Sequence, residues 1–415
     1  MPLIYKKIVF FLLSITTLFL LVGCSPVGEE VGSVSGSTSS SELGDGFTVV
    51  NDSAHTHAAS VVIGQPDFDS DTNRATAADS SSYPYGNPTV VDGMLYLPDT
   101  RNNRLVGHNV VPTSYPNAAD FAIGQENLTD ALAGNSAFQN FGMQTVTVTN
   151  GKLFVADWGN NRILIYNQRP ISGPGKADVV VGQTDFGESG SDTKNNRLDS
   201  PESLYVTGNK LIVADSLNNR VLIWSSIPTI SGAAADIVLG HSDFTTKFSN
   251  EVNASTLNFP TAVWSDGTQL FVLDAGNNRI MIWDSFPTSS NQKATTVLGQ
   301  VDFVSNLSNQ GNGNIPSATS LSFSGKGGGL YCNGSQLFVA DNANNRILIW
   351  DNFPLTTGEA ASGLIGQNGF DRASSDYRAT PADDSFSNPT GVYQFYNKLI
   401  VTDTDNNRYL IFNSK

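Results

Sequence analysis

Six aspartates and six arginines are the residues of this chain whose types and spacing first suggest chemistry. They pair as Asp99 and Arg104, Asp157 and Arg162, Asp215 and Arg220, Asp274 and Arg279, Asp341 and Arg346, and Asp403 and Arg408. In each pair the arginine follows the aspartate by five residues and is preceded by Asn-Asn. A ring of carboxylates could hold a cation. Residues that recur identically in every copy, however, serve something every copy must do, whereas an active site needs unlike residues converging on one point. The six pairs are therefore expected to fix turns through charge-assisted hydrogen bonds.

Other candidates are narrower. Asp403-Thr-Asp405-Asn406-Asn407 has the alternating oxygens that begin a calcium loop but lacks the closing glutamate. No cofactor is expected, calcium being the cation the sequence leaves open. The chain has four histidines, His55, His57, His108 and His241. His108 falls in a column of rings and His241 replaces a recurring glutamine. His55 and His57 precede the first strand, away from rigid support. A catalytic zinc is not expected from them. The run Gly325-Lys326-Gly327-Gly328-Gly329 imitates a phosphate loop without its Ser/Thr and helix.

Two aromatic columns accompany the pairs. Four residues after each arginine stand His108, Tyr166, Trp224, Trp283, Trp350 and Phe412, whose flat rings suit packing between neighbouring sheets. Four residues further, Pro112, Pro170, Pro228, Pro287 and Pro354 suit a turn leaving a strand. Ten residues before each aspartate stand Thr89, Thr147, Tyr205, Trp264, Tyr331 and Tyr393. In this less uniform column Tyr205, Trp264, Tyr331 and Tyr393 are the candidates to face a ligand, by stacking on a sugar or another planar group.

The elements that must position these residues follow from the same repeats. Short β-branched and aromatic runs flank each Asp-x-x-Asn-Asn-Arg, which reads as the turn between two strands. A second phrase marks another strand at Ile63-Gly64-Gln65, Ile123-Gly124-Gln125, Val181-Gly182-Gln183, Leu239-Gly240-His241, Leu298-Gly299-Gln300 and Ile365-Gly366-Gln367. A further strand precedes each aspartate phrase, as at Val263-Trp264 and Val392-Tyr393. The unit thus has four strands in roughly sixty residues, and repeats six times. The fold class is all-β, a six-bladed β-propeller of four-stranded antiparallel blades. The chain opens on a spare Gly-Gln strand at Val61 to Gln65 and ends at Phe412, just after the strand following Arg408. The N-terminal strand is expected to complete the last blade and close the ring.

Leu337-Phe-Val-Ala-Asp341-x-x-Asn-Asn-Arg346-Ile-x-Ile-Trp350 resembles the NHL repeat, with Asn-Arg where the name-giving motif has Asn-His. The resemblance runs from about Val61 to Lys415. It implies a propeller. Related propellers include zinc-dependent amidating lyases and calcium-dependent lactonase-like hydrolases, which makes a metal-dependent envelope hydrolase or lyase, with its site at the central channel, the alternative function.

At the N-terminus, Lys6-Lys7 precede an apolar run from Ile8 to Val22, the layout of a signal peptide over residues 1–23. Leu21-Val22-Gly23-Cys24 resembles the lipobox of bacterial lipoproteins, which implies lipidation of Cys24 and removal of everything before it. Residues 24–46, rich in Ser and Gly, read as a flexible tether, and 47–415 as the propeller. Cys332 is the second of two cysteines, so no intramolecular disulfide is expected in a chain whose Cys24 carries lipid. A formal charge of −15 opposes nucleic-acid binding. The expected location is the extracytoplasmic face of a bacterial envelope, with Ser25 after the cysteine resembling outer-membrane sorting. The long polar connections, Gln65 to Asn87, Gln183 to Ser200, His241 to Asn258 and Gln300 to Ser324, are expected on the face of the aspartate turns. The function expected is a non-enzymatic binding or scaffold module whose polar loop face recognises an envelope protein, peptide or glycan. No gathering of unlike polar residues at one mouth of the channel can be picked out by eye.

Overall fold

The computed structural model describes residues 47–49, 57–248, 251–325, 327–351, 353, 355–376 and 380–415. The leader, Cys24, the tether, His55, Lys326 and Pro354 lie outside them. Among the described residues no helix is long and apolar enough to cross a membrane.

The described strands form six antiparallel sheets of four, each running from an inner to an outer strand. The inner strands are Thr89–Val91, Met143–Thr149, Pro201–Thr207, Pro260–Ser265, Leu330–Cys332 and Pro389–Phe395, numbering blades 1 to 6. Five blades take all four strands in chain order; the sixth takes Val61–Ile63 as its outer strand. There Val61 pairs with Ile411, Val62 with Leu410 and Ile63 with Tyr409. The ring is thus closed by hydrogen bonds between the two ends of the propeller, which give the sixth blade the same four strands as the other five.

The chain also clasps itself just before that strand. The Phe47 amide donates to Gln336 Oε1 (2.6 Å), and Gln336 Nε2 donates back to the Phe47 carbonyl (3.0 Å). Phe47 is buried, its ring tilted against His57 and edge-on to Phe338, between blades 5 and 6.

The strands fold this way because both faces of each sheet are covered. Leu-Phe-Val-Ala and Ile-Leu-Ile-Trp runs are apolar throughout rather than alternating, and nearly every residue in them is buried. Their side chains form clusters between adjacent blades. Trp224 sits with Phe154, Ile163 and Val181 between blades 2 and 3, and Trp350 with Phe271, Ile280 and Leu298 between blades 4 and 5. The rings after each arginine are therefore wedges between sheets, each worth on the order of 1.5–3 kcal/mol in burial.

Candidate functional site

The aspartate and arginine of every repeat form an ion pair of 2.6–2.8 Å, with both side chains fully buried. The same carboxylate oxygen accepts from the first asparagine of the turn, and the other accepts a backbone N–H from the inner-strand entry, such as Asp199 N to Asp215 (2.6 Å). The arginine spends its remaining donors on loop carbonyls; Arg220 reaches those of Thr193, Lys194, Arg197 and Phe244. Burial lifts these carboxyls above their ordinary value against the pull of the arginines, to about 6 for Asp215 and Asp403.

The second asparagine explains why the motif needs two. Asn103, Asn161, Asn219, Asn278, Asn345 and Asn407 all sit in the left-handed region, which asparagine tolerates. Their side-chain oxygens accept from the backbone of the next blade: Gly142, Ser200, Phe259, Phe323, Asn388 and, closing the ring, Tyr83. The recurring glutamines donate to the same turns, as Gln183 does to the Asn161 carbonyl (2.9 Å), and His241 Nε2 meets the Asn218 carbonyl at 3.1 Å in their place. The glycine before each has no alternative: Gly182 has φ +90°, and a Cβ there would lie 2.6 Å from Leu198.

What breaks the repeat lies on the inner strands. The ladder slips after Met143, Pro201, Pro260 and Pro389, so Gln144, Thr145, Glu202, Thr261 and Thr390 have no ladder partner. Bulges of this kind re-aim side chains. Glu202 is buried and accepts a 3.0 Å hydrogen bond from the Tyr85 hydroxyl, which reaches it from blade 1 past blade 2. Burial pushes the Glu202 carboxyl well above the usual carboxylate range and the Tyr85 phenol well above its own. Asn87 crosses the other way: its Nδ2 donates to the Leu330 carbonyl of blade 5 (2.8 Å), and its Oδ1 accepts from Val392 N of blade 6 (3.0 Å). Residues 85 to 87 thus plug the neck of the channel. The glycine run belongs to this plug. A Cβ on Gly329 would lie 2.6 Å from Asn87 Oδ1, so blade 5 comes close only without side chains.

Below the plug, on the side of the inner hairpins, the channel widens into a cavity of about 1030 Å³. Asn87 and Thr145 lie nearest the plug among its lining residues, whereas Asp92, Asn150, Gly151 and Arg169 come from hairpins and connections at the opposite end of the blades. The channel is therefore a cup rather than a tube. Its wall is asymmetric. Tyr205, Trp264, Tyr331 and Tyr393 line it from blades 3 to 6; Thr89, Thr147 and Thr149 line it from blades 1 and 2. Trp264 stands deepest in the wall at 2% exposure, edge-on to Phe271, so the partly exposed surface belongs to the three tyrosines. Tyr331 and Tyr393 lie 4.7 Å apart, centroid to centroid. Burial raises the phenols of Tyr205 and Tyr331, so both stay neutral. The threonine hydroxyls of Thr89, Thr147 and Thr149 make no hydrogen bond to the protein among the described residues. Among the described residues the only charges on the wall are Arg169 and Asp92, paired at 2.9 Å.

Unlike polar residues that could not be picked out by eye do gather: Tyr85 bonds Glu202 and Asn87 bridges blades 5 and 6 at the neck, with the threonine arc and Arg169 below. Sequence reading missed them because its landmark was the aspartate, and a bulge shifts the facing residues by one. The visible signal was a glutamate beside a proline in an inner strand with no other charge, Pro201–Thr207.

The remaining candidates do not converge. Asp403 is taken up by Arg408, Asn406 and the Ser387 amide, while Asp405 meets Asn388. His57 meets the Asn413 carbonyl and His108 is buried in blade 1. Among the described residues no three His, Cys, Asp or Glu side chains are grouped to hold a metal. Cys332 is buried in the cup wall outside any disulfide.

No protein-family model matches this sequence, and no curated protein matches it either. Among solved structures, the chain is similar to the computationally designed Ika8 protein, with 10% identity over 89% of this chain and 100% of that one and a TM-score of 0.41. It is also similar to virginiamycin B lyase from Staphylococcus aureus, with 13% identity over 83% of this chain and 97% of that one and a TM-score of 0.42.

Proposed function

We propose that this chain is an NHL-type lipoprotein of the bacterial envelope, held by a lipid on Cys24, and that its propeller is a non-enzymatic binding module receiving its ligand in the cup. The lipobox resemblance supports the anchor, and the repeat phrase supports the family. The single observation that carries the binding reading is the asymmetric, blind cavity. A wall divided between aromatic and hydroxyl side chains, with its charge confined to one ion pair, suits recognition more than bond-breaking. Small-molecule sites have this character: a largely preformed concavity, apolar surface, and a few placed polar groups.

Binding is tested on the mature lipoprotein in phospholipid nanodiscs, screened against peptide and glycan panels, with Tyr331→Ala as the cup variant and melting curves as the fold control. Ligands lost on Tyr331→Ala without loss of fold support the reading. Ligands indifferent to that substitution, or none at all, sink it. The anchor is tested separately: Cys24→Ser should shift the protein from the membrane to the soluble fraction, and retention there would count against lipidation.

A further inference from the structure

The geometry points to the end of a neutral sugar chain as the occupant of the cup, an inference that rests on the binding reading above. Four features carry it.

The first is the divided wall. A pyranose ring has one apolar C–H face and a rim of hydroxyls, so it presents two chemistries in opposite directions. Here Tyr205, Tyr331 and Tyr393 stand on one side, and Thr89, Thr147 and Thr149 on the other. Aromatic faces bury the C–H surface, while hydroxyls act as both donor and acceptor toward the sugar's own. A flat aromatic ligand would gain more from rings on both sides, and an extended peptide would need a longer strand edge than the three- to seven-residue inner strands present.

The second is hydrogen bonding. The three threonine hydroxyls have no protein partner among the described residues, nor has Thr145 beside them in the lining, whereas Thr261 and Thr390 of the inner strands are bonded at the neck. The third is charge. Arg169 and Asp92 neutralise one another at the rim, and the chain carries −15 overall, so nothing in the cup favours an anionic ligand. The phenols stay protonated, so the aromatic side adds no charge either.

The fourth is closure. Tyr85 on Glu202 and Asn87 across to Leu330 shut the neck, so a polymer cannot thread the ring. Only a terminus can enter, and about 1030 Å³ leaves room for a short run of sugar rings behind it.

The test is calorimetry on the mature lipoprotein in phospholipid nanodiscs, free of sugar-headed detergent. Linear tetrasaccharides of glucose, galactose, mannose and N-acetylglucosamine are titrated first, followed by the polymer of any that binds. At least one should bind. Thr147→Val with Thr149→Val, which keeps side-chain shape, should weaken it by roughly tenfold. At equal mass the polymer should bind in proportion to its chain ends rather than its sugar units. If no tetrasaccharide binds while another ligand is lost on Tyr331→Ala, the sugar inference falls and the binding reading stands. If a saccharide binds but ignores both variants, it binds elsewhere, and the inference falls. A polymer that binds in proportion to its internal units overturns the terminal mode.

Discussion

The Tyr85 hydroxyl donates to the Glu202 carboxyl across 3.0 Å, joining the entry of blade 1 to the inner strand of blade 3 over the head of blade 2. A propeller holds its blades mainly to their neighbours, so a bond that skips one must run through the channel. Both residues are buried, and Tyr85 is the only partner of Glu202 among the described residues. The carboxyl therefore has neither a cation nor solvent to stabilise its charge, and its proton is held by burial.

That retention has a pH signature. A folded-state pKa raised above the ordinary value of 4.5 means that the native protein binds the proton more tightly than the unfolded chain. The associated stability is fully present below the ordinary value and is lost as pH rises through the folded one. Glu202→Gln keeps an acceptor for Tyr85 and cannot ionise. It is expected to melt with the parent near pH 4 and a few degrees above it near pH 8. Melting curves at the two pH values decide it; a variant that gains nothing at the higher pH would show that Glu202 ionises at little cost.

The aspartate–arginine pairs give a sharper mutational expectation. Asp215→Asn should cost about 3–5 kcal/mol, because it leaves the fully buried Arg220 without its counter-charge. Replacing a buried pair by two apolar residues is often harmless. Here it should not be, since Arg220 also satisfies four loop carbonyls that a methionine would strand. Asp215→Leu with Arg220→Met is therefore expected to unfold in denaturant no later than the single variant. For the same reason, calcium and chelator should both leave the melting temperature where it is.

The parts of the molecule that were legible in the sequence are those that every blade must repeat. Asp215 to Arg220 could be read as a turn because the same spacing returns in all six copies, and the spare strand at Val61 had a vacant place only in the blade of Arg408. The cup was half legible: the column of Tyr205, Tyr331 and Tyr393 lines it, but nothing in that column distinguishes a ring facing a cavity from one packed like Trp264. The neck was not legible at all. Tyr85, Asn87 and Glu202 each occur once, so periodicity is blind to them, and their meeting depends on bulges and on blades distant in sequence.

His108 offers a second pH test of opposite sign. It occupies the column filled by Tyr166, Trp224, Trp283, Trp350 and Phe412 in the other blades. Burial lowers its pKa from 6.5 to about 4, so the native protein holds it neutral where the unfolded chain would take up a proton. That stability is present above the ordinary value and is lost as pH falls from 6.5 toward 4, by up to roughly 3 kcal/mol. His108→Phe should remove this acid-side loss and match the parent above pH 7. Denaturant titrations across that range would show it; parallel curves for parent and variant would mean that the imidazole protonates within the fold.

Closure by Val61–Ile63 is the last expectation, and it separates a ring from a row of blades. Removing residues up to Gln65 strips a strand whose side chains are almost wholly buried, exposes the edge at Tyr409, Leu410 and Ile411, and takes the Asn117 side chain from the Val62 carbonyl. Burial of each large apolar side chain is worth about 1.5–3 kcal/mol, so the truncated protein should melt on the order of 10 °C lower. A synthetic peptide covering residues 57–65 supplies the missing strand, whose Val61 to Ile63 pair with Ile411 to Tyr409. Added at excess it should restore much of the loss, because binding to the folded state alone stabilises by mass action. Truncation without a lower melting temperature would mean that blade 6 stands on three strands, and that the pairing of the chain ends contributes little to the fold.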